Sequence, residues 1–171
     1  DQVGTGHDTS VHTPPVRGPI SAPEQSPANL VAISSPGNSS VLIYNGNRVS
    51  VVATGSADCA NPGIPAVFEH RVYVPCRGAG RVLVLDSAGR ADGNAIPTPD
   101  GGDPQLVVSA GRLLLNVPGA STVTVVNGSG GTSQIQTAGP SIGVQKPTPP
   151  PAPPATTPSR RHNDHSGDHG K

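Results

Sequence analysis

"RVYVPCRGAGRVLVLDSAGR" (residues 71–90) holds two short apolar runs on either side of a glycine-bearing turn. Read alone, it is one hairpin. Downstream, "RLLLNVPGASTVTVVNGSGG" (112–131) has the same layout at an offset of 41 residues, and "VAISSPGNSSVLIYNGNR" (31–48) aligns with both without a gap. Gly37, Gly78 and Gly119 coincide, as do Val41, Val82 and Val123, and the strand-ending Asn45, Asp86 and Asn127. A glycine in the middle of the connection supplies the φ > 0 conformation of a tight reversal. Asn or Asp followed by small residues starts the next turn. The sequence period is therefore a period of structure.

Working outward, each hairpin extends into a meander. "PAVF" (65–68), "RVYVP" (71–75), "RVLVLD" (81–86) and a weaker "NAIPT" (94–98) make one unit. "QLVV" (105–108), "RLLLN" (112–116), "TVTVVN" (122–127) and "SQIQT" (133–137) make the next. The first unit has an outer strand in "RVSVVA" (48–53) but no clear inner one, because "SAPEQS" is poorly apolar. Asn45-Gly46 between apolar runs is the strongest local hairpin signal. The middle strands are continuous apolar runs, as expected where both faces of a sheet are covered. Four antiparallel strands in about 40 residues is the arithmetic of a β-propeller blade. An immunoglobulin-like sandwich shares the strand spacing but does not predict an ungapped repeat.

The expected fold is all-β, with about three four-stranded antiparallel propeller-like blades in an incomplete ring. Closed propellers have at least about four blades. Three imply a piece of a longer protein, copies that associate, or an open stack; the first is the expectation, with further blades or modules of the same longer chain as partners. Residues 1–26 read as a flexible linker, 27–139 as the repeat region, and 140–171 as a Pro-rich spacer ending in a disordered polar tail.

Composition supports that division, since 22 glycines and 21 prolines are about a quarter of the 171 residues and Gly and Pro at that level mark unpacked chain. With no Trp or Met, one Phe and two Tyr, the core must be aliphatic. The formal charge is zero, which removes the electrostatic footprint of a nucleic-acid or anionic-membrane partner. No apolar run approaches the roughly 20 residues of a membrane span. The start at Asp1, without a signal-peptide pattern, reads as a mature secreted form or an excised fragment.

"RVYVPCRGAGRVLVLD" and "RLLLNVPGASTVTVVN" resemble the repeats of YVTN and NHL type β-propellers, in which a "VYV" strand, a Gly-containing turn and a "V-V-D/N" strand recur. With the Pro-rich spacer, residues 27–137 also resemble the propeller-like region before fibronectin type III modules in secreted bacterial proteins, although no such module follows here. The resemblance implies an architecture, an extracellular or cell-envelope location and no particular activity. Streptogramin lyases resemble this chain as propellers that use Glu and His with a divalent metal, which draws attention to Glu69 and His70.

The chemistry-bearing residues are few. Cys59 and Cys76 match no zinc spacing. They either close a loop of about 17 residues as a disulfide, worth roughly 3 kcal/mol, or act as a loop thiol and a small buried hydrophobe. Glu69 and His70, adjacent at a hairpin turn, offer acid–base groups, and His70 is the only histidine of the repeat region. Asp92, Asn94, Asp100 and Asp103 share one connection that could hold calcium, though the spacing fits no EF-hand. Asp-Gly is also ordinary turn chemistry. In the tail, His162, Asp164, His165, Asp168 and His169 could bind a transition metal weakly, beside Arg160 and Arg161, an exposed protease-type pair. Pro147–Pro150 and Pro151–Pro154 fit PxxP, a motif read by SH3-like domains or simply a spacer. Asn38 and Asn127 are glycosylation sequons in expected turns. Nucleotide, hydrolase and redox signatures are absent from the sequence, and no cofactor is expected. These residues point to a non-catalytic extracellular scaffold or binding module presenting loops to a protein or glycan. The two alternatives are a metal-dependent propeller enzyme and a purely structural envelope spacer.

Overall fold

The structure, a computed structural model, describes residues 12–137. The start of the expected linker, the expected spacer and tail, the histidine-rich and PxxP motifs and the Arg160–Arg161 pair lie outside the described residues. Within 12–137 eleven strands form three antiparallel meanders. The first blade is β1 (Leu30–Ser35), β2 (Ser40–Asn45) and β3 (Arg48–Ala53). The second is β4 (Ala66–Phe68), β5 (Arg71–Cys76), β6 (Arg81–Leu85) and β7 (Ile96–Pro97). The third is β8 (Gln105–Ser109), β9 (Arg112–Asn116), β10 (Thr122–Val126) and β11 (Thr132–Gln136). Within each blade every strand pairs with its neighbour in sequence.

The repeat extends to the register. Val31 opposes Tyr44, Val72 opposes Leu85 and Leu113 opposes Val126, three pairs that share the sequence offset. Because side chains alternate across a strand, a shared register gives every blade the same two faces. Ala32, Val41 and Ile43 of the first blade meet Val72, Val74 and Leu85 of the second in one core. Tyr73, Val82 and Val84 of the second meet Leu113, Leu115 and Val126 of the third in another. Each junction thus joins a forward face to the backward face of the next blade. Burying such side chains fully is worth roughly 1.5–3 kcal/mol each. This explains the unbroken apolar run of β5, which is buried from Val72 to Cys76 between two neighbours. The blade that holds β9 packs against one other blade, and Leu114 of β9 is only half-buried.

The first blade has three strands, in keeping with the inner strand its sequence lacks. Pro23 and Pro27 have no N–H to give a ladder, and an isolated bridge stands where a fourth strand would pair: Ser21 and Ser34 exchange backbone hydrogen bonds of 2.9 and 2.8 Å. Part of the expected linker is therefore attached to the blade. Asn38 accepts from the Arg17 N–H (3.0 Å) and donates to the Pro15 carbonyl (3.1 Å). The outer strand expected at 94–98 shrinks to the two residues of β7, one of them a proline.

Glycines that align do not all serve one purpose. Gly78 (φ 75°) and Gly119 (φ 86°) take the left-handed conformation anticipated for the reversal. Gly37 instead lies in a short 3-10 turn, with Ser39 (φ 46°) in the left-handed region. A Cβ at Gly37 would press into the Arg17 carbonyl, so close approach is its reason. In the β2–β3 hairpin Asn45 still pairs with Arg48, and Gly46-Asn47 form the loop. Of those two only Gly46 has positive φ (62°), the pattern of a type II′ turn.

Candidate functional site

An antiparallel meander sends alternate turns to opposite ends of each blade. The β4–β5 turn and the β6–β7 loop fall at one end, the β5–β6 turn and the connections between blades at the other.

At the first end, Glu69 (φ 48°) and His70 (φ 59°) are both left-handed, as a type I′ turn demands. Two non-glycine residues in that region store strain of order 1–3 kcal/mol each. Beside them Arg71 opens β5 and donates Nε–H to Asp92 Oδ2 at 2.5 Å. Its Nη1 reaches the Ser129 carbonyl of the third blade at 3.4 Å. The Asp92 partner holds the Arg71 guanidinium pKa above its ordinary value. Both side chains are about a third exposed, at 30% and 40%, so solvent limits the pair to about 0–1 kcal/mol. Its consequence is positional, since it ties the β6–β7 loop and the β10–β11 loop to one guanidinium. A Cβ on Gly130 would collide with Arg71. The Glu69 carboxyl lies near Gly128. Below them Tyr73 is buried, which raises its pKa above the ordinary phenol value.

The loops here are fixed by their own side chains. Asp86 Oδ1 accepts from the N–H of Ala88 (2.8 Å) and of Arg90 (2.9 Å). Asn127 Oδ1, one repeat on, accepts from the N–H of Ser129 (3.1 Å) and Gly131 (2.8 Å). These are Asx turns. Donation from the Arg90 backbone N–H lowers the Asp86 pKa; burial opposes it to a lesser extent, and the Ala88 N–H adds to the lowering. Around these turns Glu69, His70, Ala88, Asn94 and Gly128 are exposed.

At the second end Cys59 and Cys76 form a disulfide, with S–S 2.05 Å and Cα–Cα 5.0 Å. Both are fully buried in the core between the first and second blades. Cys59 is therefore not an exposed loop thiol. Thr54, also buried, donates Oγ1–H to the Cys59 carbonyl (2.7 Å) and N–H to the Ser39 carbonyl (2.8 Å). Pro62 bridges to Cys76. The cross-link thus fastens the β3–β4 connection to the end of β5.

The acidic residues of 92–103 do not converge. Asp92 pairs with Arg71, whereas Asp103 accepts the Gly78 N–H (2.7 Å) beyond β7. Among the described residues no group of three or more His, Cys, Asp or Glu is placed to hold a metal ion. The sequon residue Asn38 is tied into the contacts with Arg17 and Pro15, and Asn127 into its Asx turn. A groove between β7 and the β10–β11 hairpin is lined by Ile96, Pro97, Thr124, Thr132, Ser133 and Gln134. Thr124 Oγ1 is buried there with no hydrogen-bond partner. No helix among the described residues is long and apolar enough to cross a membrane.

Sequence reasoning missed Arg71, Asp92 and Ser129 as a set. Arg71 and Ser129 lie 58 residues apart, and no local pattern links them. The third and second blades had to be stacked before they met.

The three stacked meanders define a β-propeller-like array. No family model and no curated protein sequence matches the chain. Among solved structures the chain is similar to a streptogramin B lyase, with a TM-score of 0.51 at 12% identity. That match covers 68% of this chain and 39% of the lyase. At this identity the similarity shows the fold, and the chain spans well under half of the lyase's length.

Proposed function

We propose that this chain is a non-catalytic propeller-like scaffold whose blade-end loops bind a protein or glycan outside the cell or in its envelope. The observation that carries this reading is the pre-organisation of the loops at the Arg71 end. Asp86, Asn127 and the Arg71–Asp92 pair hold their backbones, while the residues at their tips stay exposed. Loops fixed before contact lose little entropy on binding, and binding residues concentrate on loops carried by a rigid scaffold. The Cys59–Cys76 disulfide favours an oxidising compartment. The resemblance to YVTN and NHL repeats agrees with both points. A purely structural envelope spacer is the same scaffold without a ligand.

The second reading, an enzyme, is favoured by the lyase similarity and by the strained Glu69-His70 turn. The two separate in one experiment. The chain is incubated with streptogramin B and a divalent metal, and in parallel is probed on an array of bacterial-envelope glycans and secreted proteins. Both arms are repeated with chelator and with Glu69→Gln and His70→Ala. Ligand retention that survives chelation, with no turnover in any arm, is the expected result. Turnover abolished by chelation and by either substitution would overturn the scaffold reading.

A further inference from the structure

Each junction in the stack pairs a forward face with a backward face, and the stack leaves one of each open. On the third blade the outward forward face carries exposed Val107, half-buried Leu114 and Val123 and buried Val125, the repeat counterparts of Ala66, Tyr73, Val82 and Val84. Those four counterparts are all buried against the third blade. Val107 is 48% exposed, and Ile135, on the same face at the opposite edge of the sheet, is 49% exposed. On the first blade the outward backward face carries half-buried Val31, Ile33 and Tyr44 and buried Leu42. Their counterparts are Val72, Val74, Leu83 and Leu85, which pack against the first blade. The two open faces are therefore the two halves of a junction the chain already makes twice.

Outside the described residues the 171-residue sequence holds few of the side chains from which a blade of this kind is built. Residues 1–11 contain two valines, and 138–171 contain only Ile142 and Val144 among branched aliphatic and aromatic residues. A strand layer of the kind seen in each blade needs several times that number. A second copy of the chain presents both required faces in the correct register.

We propose that two copies of this chain associate head to tail, the forward face of each third blade seated on the backward face of the other's first blade. The contact is heterologous, so it closes only if rotation returns to the start. Two copies give six blades, inside the range of roughly four to eight found in closed propellers, whereas three copies would exceed it. The result is a two-fold ring whose two new junctions repeat the existing ones.

The test is the solution mass of the full 171-residue chain by sedimentation equilibrium, with Val107→Glu on one face and Tyr44→Glu on the other. The wild type is expected at twice 17.1 kDa. Each variant alone is expected as a monomer, with far-UV circular dichroism confirming that it remains folded. An equimolar mixture of the two variants regains the dimer, because one junction between them is fully wild type. A monomeric wild type would overturn the proposal and leave the faces to blades of another polypeptide. An open polymer would overturn ring closure. Sensitivity to only one of the two substitutions, or a mixture that stays monomeric, would overturn the head-to-tail arrangement. Val51→Glu, at a position 49% exposed on the first blade's open face, replaces Tyr44→Glu if that variant does not fold.

Discussion

At the scale of single residues, the polar side chains of the blades chiefly hold turns, and two of them make direct predictions. Asp86 has a folded-state pKa below its ordinary 3.8. Its carboxylate therefore stabilises the fold above that value, and the contribution is lost as pH falls through the lower folded value. Asn127 builds the same turn without an ionisable group. Asp86→Asn is thus expected to leave the melting temperature near wild type at pH 7 and to flatten its decline below about pH 4, measured by melts across pH. Thr124 takes the repeat position of Leu83 but buries a hydroxyl with no partner. Thr124→Val keeps the shape and removes the orphan, so a gain of about 1–2 kcal/mol is expected in urea unfolding. A loss would mean that the hydroxyl is satisfied by a bound molecule in the groove.

At the scale of elements, turn chemistry and cross-linking decide how strands are joined. Gly37 and Gly78 illustrate a limit of local reading: they align, yet one is required for close approach to Arg17 and the other for φ. The Cys59–Cys76 disulfide closes a loop of sequence separation 17, for which chain entropy gives about 3 kcal/mol. The double substitution to Ser is expected to cost about that much, measured by denaturant unfolding. A change below about 0.5 kcal/mol would show that the buried contacts around Thr54 and Pro62 already fix this connection. The second cysteine stands where the first blade has Ser35, so the cross-link is a local addition to the repeat and not part of it.

At the scale of the whole molecule, equivalent positions differ because the stack has ends. Val82 and Val123 are one repeat apart, but Val82 is fully buried between blades while Val123 lies half-buried on the open face. Val82→Ala is expected to destabilise by about 2–3 kcal/mol and Val123→Ala by roughly 1 kcal/mol or less in a single chain. Measuring both at low and high protein concentration separates folding from association. If the open faces pair, the cost of Val123→Ala rises with concentration and that of Val82→Ala changes little. Equal costs at all concentrations would show that the third blade's outer face is not an interface.

The strands and the repeat were legible in the sequence because both rest on short-range pattern. Arg48–Ala53 and Arg112–Asn116 fall where the apolar runs place them, and a glycine or Asx residue punctuates every turn except Glu69-His70. The first blade's edge was not legible, since Ser21 pairs through its backbone, which leaves no mark on residue type. The Arg71–Asp92–Ser129 set was equally hidden, because hydrogen bonds across 58 residues depend on how whole blades stack. The sequence alone determined three units with apolar strands, through alternation and turn chemistry acting over a few residues. Only the tertiary structure decided which face of each unit is covered, because burial belongs to the stack. It also decided that the two faces left open match each other, because register becomes an interface only when the sheets pack.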